Sequence, residues 1–134
     1  MTALAFPLIR TVLVVDPDPS ALAEYAKLLS GAGYRVITAP SFEDASLRLR
    51  LAKADALVTR VRLGAYNGLH LVIRAREDFP GTVAIVTDVV DDPVLKADAE
   101  ALSAIYLVNP LRAEEILEIL RERFDEEPDF RNPA

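Results

Sequence analysis

The chain has 134 residues, 51% hydrophobic and 27% charged, with a formal net charge of −6 and no cysteine. That length fits one domain with a self-sufficient core. The missing cysteine excludes disulfides, thiolate metal sites and a cysteine nucleophile, and the acidic balance argues against a nucleic-acid duplex as partner. No apolar stretch approaches the roughly 18 residues of a membrane span. The opening MTALAFPLIR lacks the charged start and long apolar run of a signal peptide, so the expected location is cytoplasmic, away from a membrane.

In chain order, Thr11–Val15 is a continuous apolar run of strand length, the pattern of a strand buried on both faces. Ser20–Ser30 repeats apolar residues at helical spacing and stops at Gly31 and Gly33. Tyr34–Ala39 reads as a second strand. Ser41 is the N-cap of a helix that runs through about Leu51, with Asp44 three residues on. Ala56–Val61 is the third strand, Gly64–Gly68 a loop, and Leu69–Glu77 a helix closed by Phe79, Pro80 and Gly81. Thr82–Thr87 is the fourth strand; Pro93–Leu102 is a helix with proline in its first turn. Ile105–Val108 and Ala113–Phe124 complete the alternation, and the polar EEPDFRNPA is expected to be loose.

Five strands alternating with five helices predict an α/β three-layer sandwich of the flavodoxin-like (βα)5 kind, with a five-stranded parallel sheet in the order 2-1-3-4-5. In that order the first and third strands are neighbours. Their C-terminal ends, Asp16 and about Arg60, therefore meet at the crevice where strand order reverses, the position at which such sheets keep their chemistry. The domain is expected to span 1–124, with 125–134 a flexible C-terminal tail or the start of a linker.

Four ordered stretches, "VLVVDPDP", "ADALVTRVRLGAYNGLHL", "VAIVTD" and "YLVNPL", resemble the receiver domain of response regulators in bacterial two-component signalling, over roughly Arg10–Phe124. The resemblance implies an acidic pair after the first strand, a phosphate-accepting aspartate ending the third, a Thr or Ser ending the fourth, and a lysine before proline after the fifth. Asp16 matches the first acid, but Pro17 takes the place of the second. Arg60 stands where the phosphoacceptor belongs, and Asn109 where the lysine belongs. Thr87 matches the hydroxyl, Tyr106 the aromatic residue that changes rotamer in the family, and Gly68 the glycine after the third-strand loop. Asp88 follows Thr87 where the family has a small residue, so its carboxylate is expected to intrude on the pocket. The degenerate phosphorylation pocket thus comprises Asp16, Pro17, Asp18, Arg60, Thr87, Asp88, Tyr106 and Asn109.

Phosphoryl transfer at such a site needs a carboxylate nucleophile, a carboxylate-held Mg²⁺ and cations for the phosphoryl oxygens. A guanidinium is always protonated and has no lone pair to offer, so Arg60 cannot accept phosphate. It also opposes the metal: a unit charge about 4 Å from a divalent ion interacts by roughly 8 kcal/mol at an effective dielectric of about 20. The expectation is no Mg²⁺, no cofactor and no catalytic residue. Arg60 has two readings: a pair with Asp16, with Asp18 or Asp88 as further acceptors, or a side chain turned out to solvent over its own aliphatic stem.

Other residues carry less. His70 lacks neighbours at ligand spacing and reads as a solvated helix residue. Asp88, Asp91 and Asp92 read as a cap and dipole partner for the fourth helix, while Arg60 with Arg62 could form an anion-binding patch. Three functions remain open. The favoured one is a phosphorylation-independent interaction module, meeting a signalling protein or a second copy through the fourth helix, fifth strand and fifth helix. The second is regulation by a covalent or anionic ligand through a non-standard residue, such as Asp16, Asp18, Asp88 or Thr59. The third is a small-molecule binder on the same scaffold. Against a flavin or nucleotide, the loop "DPDPS" offers carboxylates and prolines where a phosphate needs N–H donors, and no G-x-x-x-x-G-K-[ST] or G-x-S-x-G motif is present.

Overall fold

The computed structural model describes residues 8–108 and 112–126. Its elements are β1 (Thr11–Val15), α1 (Pro19–Gly31), β2 (Arg35–Ala39), α2 (Phe42–Leu51), β3 (Ala56–Arg60), β4 (Arg62–Leu63), β5 (Tyr66–Asn67), α3 (Leu69–Asp78), β6 (Val83–Asp88), α4 (Pro93–Ala101), β7 (Ile105–Val108) and α5 (Ala113–Glu126). The main sheet runs β2-β1-β3-β6-β7 and every pairing in it is parallel. Counting only its own strands, this is the order 2-1-3-4-5 expected from the alternation. The numbering differs because residues 62–67, where the sequence reading had only the Gly64–Gly68 loop, close into a two-stranded antiparallel hairpin, β4–β5.

Alternate residues of the central strands face opposite layers. Leu13 and Val15 of β1 join a core with Phe42, Ala45, Leu71, Val72 and Ala99 from α2, α3 and α4. Val12 and Val14 join the other, with Tyr25 and Leu29 of α1 and Ile116 and Leu120 of α5. Each of those four β1 side chains is at most 2% exposed, and full burial of such a side chain is worth about 1.5–3 kcal/mol. A strand sandwiched in this way needs an unbroken apolar run.

Helix starts follow local chemistry. Asp18 caps α1 by accepting from the Ser20 N–H, Ser41 caps α2 through the Asp44 N–H, and Asp92 caps α4 through the Val94 and Leu95 N–H groups. Each satisfies amides that the first helical turn leaves unpaired. Pro19 and Pro93 occupy first helical positions, where the missing N–H costs nothing. No helix among the described residues is long and apolar enough to cross a membrane.

Candidate functional site

Register brings the crevice residues together. Val15 lies opposite Thr59 and Arg60 opposite Thr87, so Asp16, Arg60 and Thr87 end three adjacent strands. With Pro17, Asp18, Arg62, Asp88 and Val89 they line a cavity of about 270 Å³. Seven of the eight residues expected at this pocket from sequence are thereby located, Tyr106 through its bond to Asp88 described below. Asn109 lies outside the described residues.

Asp16 is buried, and both its oxygens are engaged. Oδ1 accepts the Asp18 N–H at 2.9 Å and Oδ2 accepts the Arg60 Nε–H at 3.0 Å. The first bond closes a turn across Pro17, which has no N–H of its own to compete. The Arg60 side chain keeps 26% exposure and bonds Asp16 side-on through one nitrogen. Of the two readings of Arg60, the paired one describes the molecule. Asp18 and Asp88 are not its further acceptors: Asp18 is spent on capping α1, and Asp88 takes a different arginine.

That second arginine is Arg62. Asp88 is only 1% exposed, and its Oδ1 accepts the Val89 N–H at 2.8 Å and the Arg62 Nε–H at 3.1 Å. The Tyr106 hydroxyl donates to Asp88 Oδ2 at 2.8 Å, accepts the Asp92 N–H at 3.2 Å and lies 3.1 Å from the Val90 carbonyl. Arg62 Nη2 reaches on to Asp92 Oδ2 at 3.2 Å. Burial by itself would raise the Asp88 carboxyl, but the bonds from Tyr106, Arg62 and the Val89 amide, with the Arg62 charge, outweigh it and hold the group below the usual carboxylate range. Burial, with the bond to Asp88 acting in the same direction, raises the Tyr106 phenol.

Thr87 is buried, with its hydroxyl 3.5 Å from the Thr59 carbonyl. Gly68 packs so closely beneath the end of β3 that a Cβ there would collide with the Arg60 carbonyl, and its N–H bonds Val61 O at 2.7 Å. The hairpin thus fixes the backbone carrying Arg60 and Arg62. His70 is exposed on α3, in keeping with a solvated residue. Sequence reasoning missed the role of Arg62, grouping it with Arg60 as an anion patch. The signal was the pairing of an arginine two residues beyond the third strand with an aspartate ending the fourth.

A family model for the response regulator receiver domain matches residues 12–121. The chain belongs to that family. It is 32% identical over 112 residues to a response regulator receiver protein of Anaeromyxobacter sp. (strain Fw109-5), an alignment covering 82% of this chain and 47% of that one. It is also 32% identical over 109 residues to the transcriptional regulatory protein PrrA of Mycobacterium leprae (strain TN), covering 79% and 46%. The receiver therefore spans about half the length of the curated relatives it matches. Among solved structures, a CheY-like receiver domain from Methanospirillum hungatei JF-1 superposes with a TM-score of 0.82 at 21% identity, over 89% of this chain and 96% of that one. A response regulator from Thermotoga maritima gives 0.75 at 28% identity, over 89% and 100%. Receiver domains are signalling modules of two-component systems, and this one presents the family's crevice with two arginine–aspartate pairs built into it.

Proposed function

We propose that this receiver works without aspartyl phosphorylation or Mg²⁺, as a non-enzymatic, cytoplasmic protein-interaction module of two-component signalling. The observation that carries the reading is the Arg60–Asp16 bond at 3.0 Å. A guanidinium occupies the strand end from which the family's acceptor carboxylate would attack, and it cannot serve as nucleophile. Nor do the residues present fit a divalent ion. Asp16 has one oxygen committed to an amide and the other to a cation, Pro17 supplies no ligand atom from its side chain, and a metal would have to displace Arg60 against its charge.

The partner surface in this reading is formed by α4, β7 and α5. It carries exposed apolar residues that the fold leaves uncovered, Val94 at 70% exposure and Val108, with Val90 beside them in the loop before α4. The beryllofluoride-activated NtrC4 receiver, structurally similar to this chain with a TM-score of 0.77, is a dimer. A second copy or another signalling protein is the corresponding occupant here.

The test is an amide NMR titration with Mg²⁺ and beryllofluoride, a phosphoryl mimic, on the native chain and on Arg60→Asp. The native spectrum is expected to stay unchanged around Asp16, Thr87 and Tyr106. Saturable shifts there would show that the pocket still takes a metal or an anion, and would end the proposal.

A further inference from the structure

At the crevice two arginines carry acids: Arg60 has Asp16, and Arg62 has Asp88 and Asp92. The opposite pole of the sheet is different. At the starts of β6 and β7 lies another cavity, of about 400 Å³, whose lining includes Arg76 of α3 and Arg123 in the last turn of α5. These two side chains come from opposite layers, so the cavity is gripped from both sides of the sheet edge. The chain has 21 Asp and Glu residues, yet none of the described residues lining this cavity is acidic.

Neither cation is neutralised by an ion pair among the described residues. The half-buried Arg76 bonds only backbone carbonyls: Thr82 O through Nε at 3.2 Å, Ser103 O through Nη2 at 3.1 Å, and Leu102 O through Nη1. Three of its five N–H donors are used, two of them at the carbonyl end of α4, which leaves two donors and no acidic side chain as counter-charge. Burial lowers its pKa with no acid acting to raise it, the signature of a cation desolvated without a counter-charge. Ser103 beside it holds φ at +57°, a left-handed turn that places the residue on the cavity rim. The rest of the wall is mixed: Pro80 and Ile105 add apolar surface beside Gly81, Thr82 and Ser103.

We propose that this cavity binds a small organic phosphate, its phosphoryl oxygens between Arg76 and Arg123 and its organic part against Pro80 and Ile105. The Arg123 guanidinium and the two uncommitted N–H donors of Arg76 suit a phosphoryl group. The volume falls in the range of small-molecule sites and exceeds what a bare inorganic ion fills. The site is independent of the crevice, so it stands whether or not the pocket there has lost phosphorylation.

Amide NMR titrations with adenosine monophosphate, inorganic phosphate and adenosine test it directly. Adenosine monophosphate is expected to give saturable shifts at Gly81, Ser103 and Arg123, with inorganic phosphate weaker at the same residues and adenosine without effect. Arg123→Glu, at an exposed position that leaves the core intact, is expected to raise the dissociation constant at least about tenfold, equivalent to about 1.4 kcal/mol. Arg121→Glu makes the same charge change two residues away, outside the cavity, and is expected to leave binding within about twofold. Absence of saturable shifts would overturn the proposal. So would equal weakening by the two variants, which would reduce the effect to overall charge, or a response to inorganic phosphate as strong as to the ester, which would remove the organic part from the site.

Discussion

The two sides of the crevice solve the same problem with different strength. On the β1 side, buried Asp16 meets Arg60 through one bond, and a quarter of the arginine remains in water. On the β6 side, Asp88 is sealed and held by Val89, Arg62 and Tyr106, and the Tyr106 hydroxyl is bonded in turn to the Asp92 amide. The first is a pair and the second a network, in which losing one member leaves others unsatisfied. The first arginine therefore sets the chemistry of the pocket, while the second set of residues fixes the shape of the loop from Asp88 to Asp92, which presents Val89 and Val90 to solvent.

The sharpest way to break this contrast is Asp88→Ala. It strips partners from the Val89 amide, Arg62 and the Tyr106 hydroxyl together. Leaving donors unmade at a buried site costs about 1–3 kcal/mol, and the middle of that range is expected here, because half-exposed Arg62 keeps Asp92 and the Tyr106 hydroxyl still has the Val90 carbonyl. Urea unfolding measures it, with an unchanged slope showing that the midpoint shift is stability alone. A loss below about 0.5 kcal/mol would mean the network is ornamental. Tyr106→Phe should follow, with about 1 kcal/mol lost and faster amide exchange confined to residues 88–92.

Acid probes the β6 side directly. The Asp88 carboxyl is held below its unfolded value, so its contribution to stability is complete above the unfolded pKa of about 3.9 and is lost as pH falls through the lower folded value. Stability of the native chain is therefore expected to drop on acidification below about pH 4. In Asp88→Asn, which cannot titrate, that acid limb should be shallower by the contribution of one carboxylate. Equal slopes in native and variant chains would contradict the assignment.

How much of this the amino-acid sequence reveals depends on whether regular strand patterning places the residues. Strands such as Val12–Val15 and Val83–Val86 are legible because burial on both faces demands unbroken apolar runs, and strand order follows from crossover geometry. Asp16 with Arg60 was legible because β1 and β3 had to be neighbours. The Arg62–Asp88–Asp92–Tyr106 network was not. Its members lie 14 to 30 residues apart wherever two of them bond across elements, and their meeting depends on the β4–β5 hairpin turning Arg62 toward β6. Short hairpins with two-residue strands leave no periodic signal. Asp92 was read as a cap, which it is, and its second oxygen's bond to Arg62 required the loop path.

Arg60→Ala gives the smallest expected change in stability and the largest in electrostatic character. A partly exposed pair joined by one bond contributes at most about 1 kcal/mol, and Asp16 keeps its bond to the Asp18 amide when the arginine is gone. Unfolding midpoints of native and variant chains should therefore differ far less than for Asp88→Ala. The tyrosine beneath the pair offers an independent readout. Burial raises the Tyr25 phenol first, Asp16 raises it further, and the Arg60 charge lowers it, so Arg60→Ala should move its titration upward in a pH-dependent absorbance scan. A stability loss as large as that of Asp88→Ala would make the β1 side a network too, and the division of labour between the two arginines would fall.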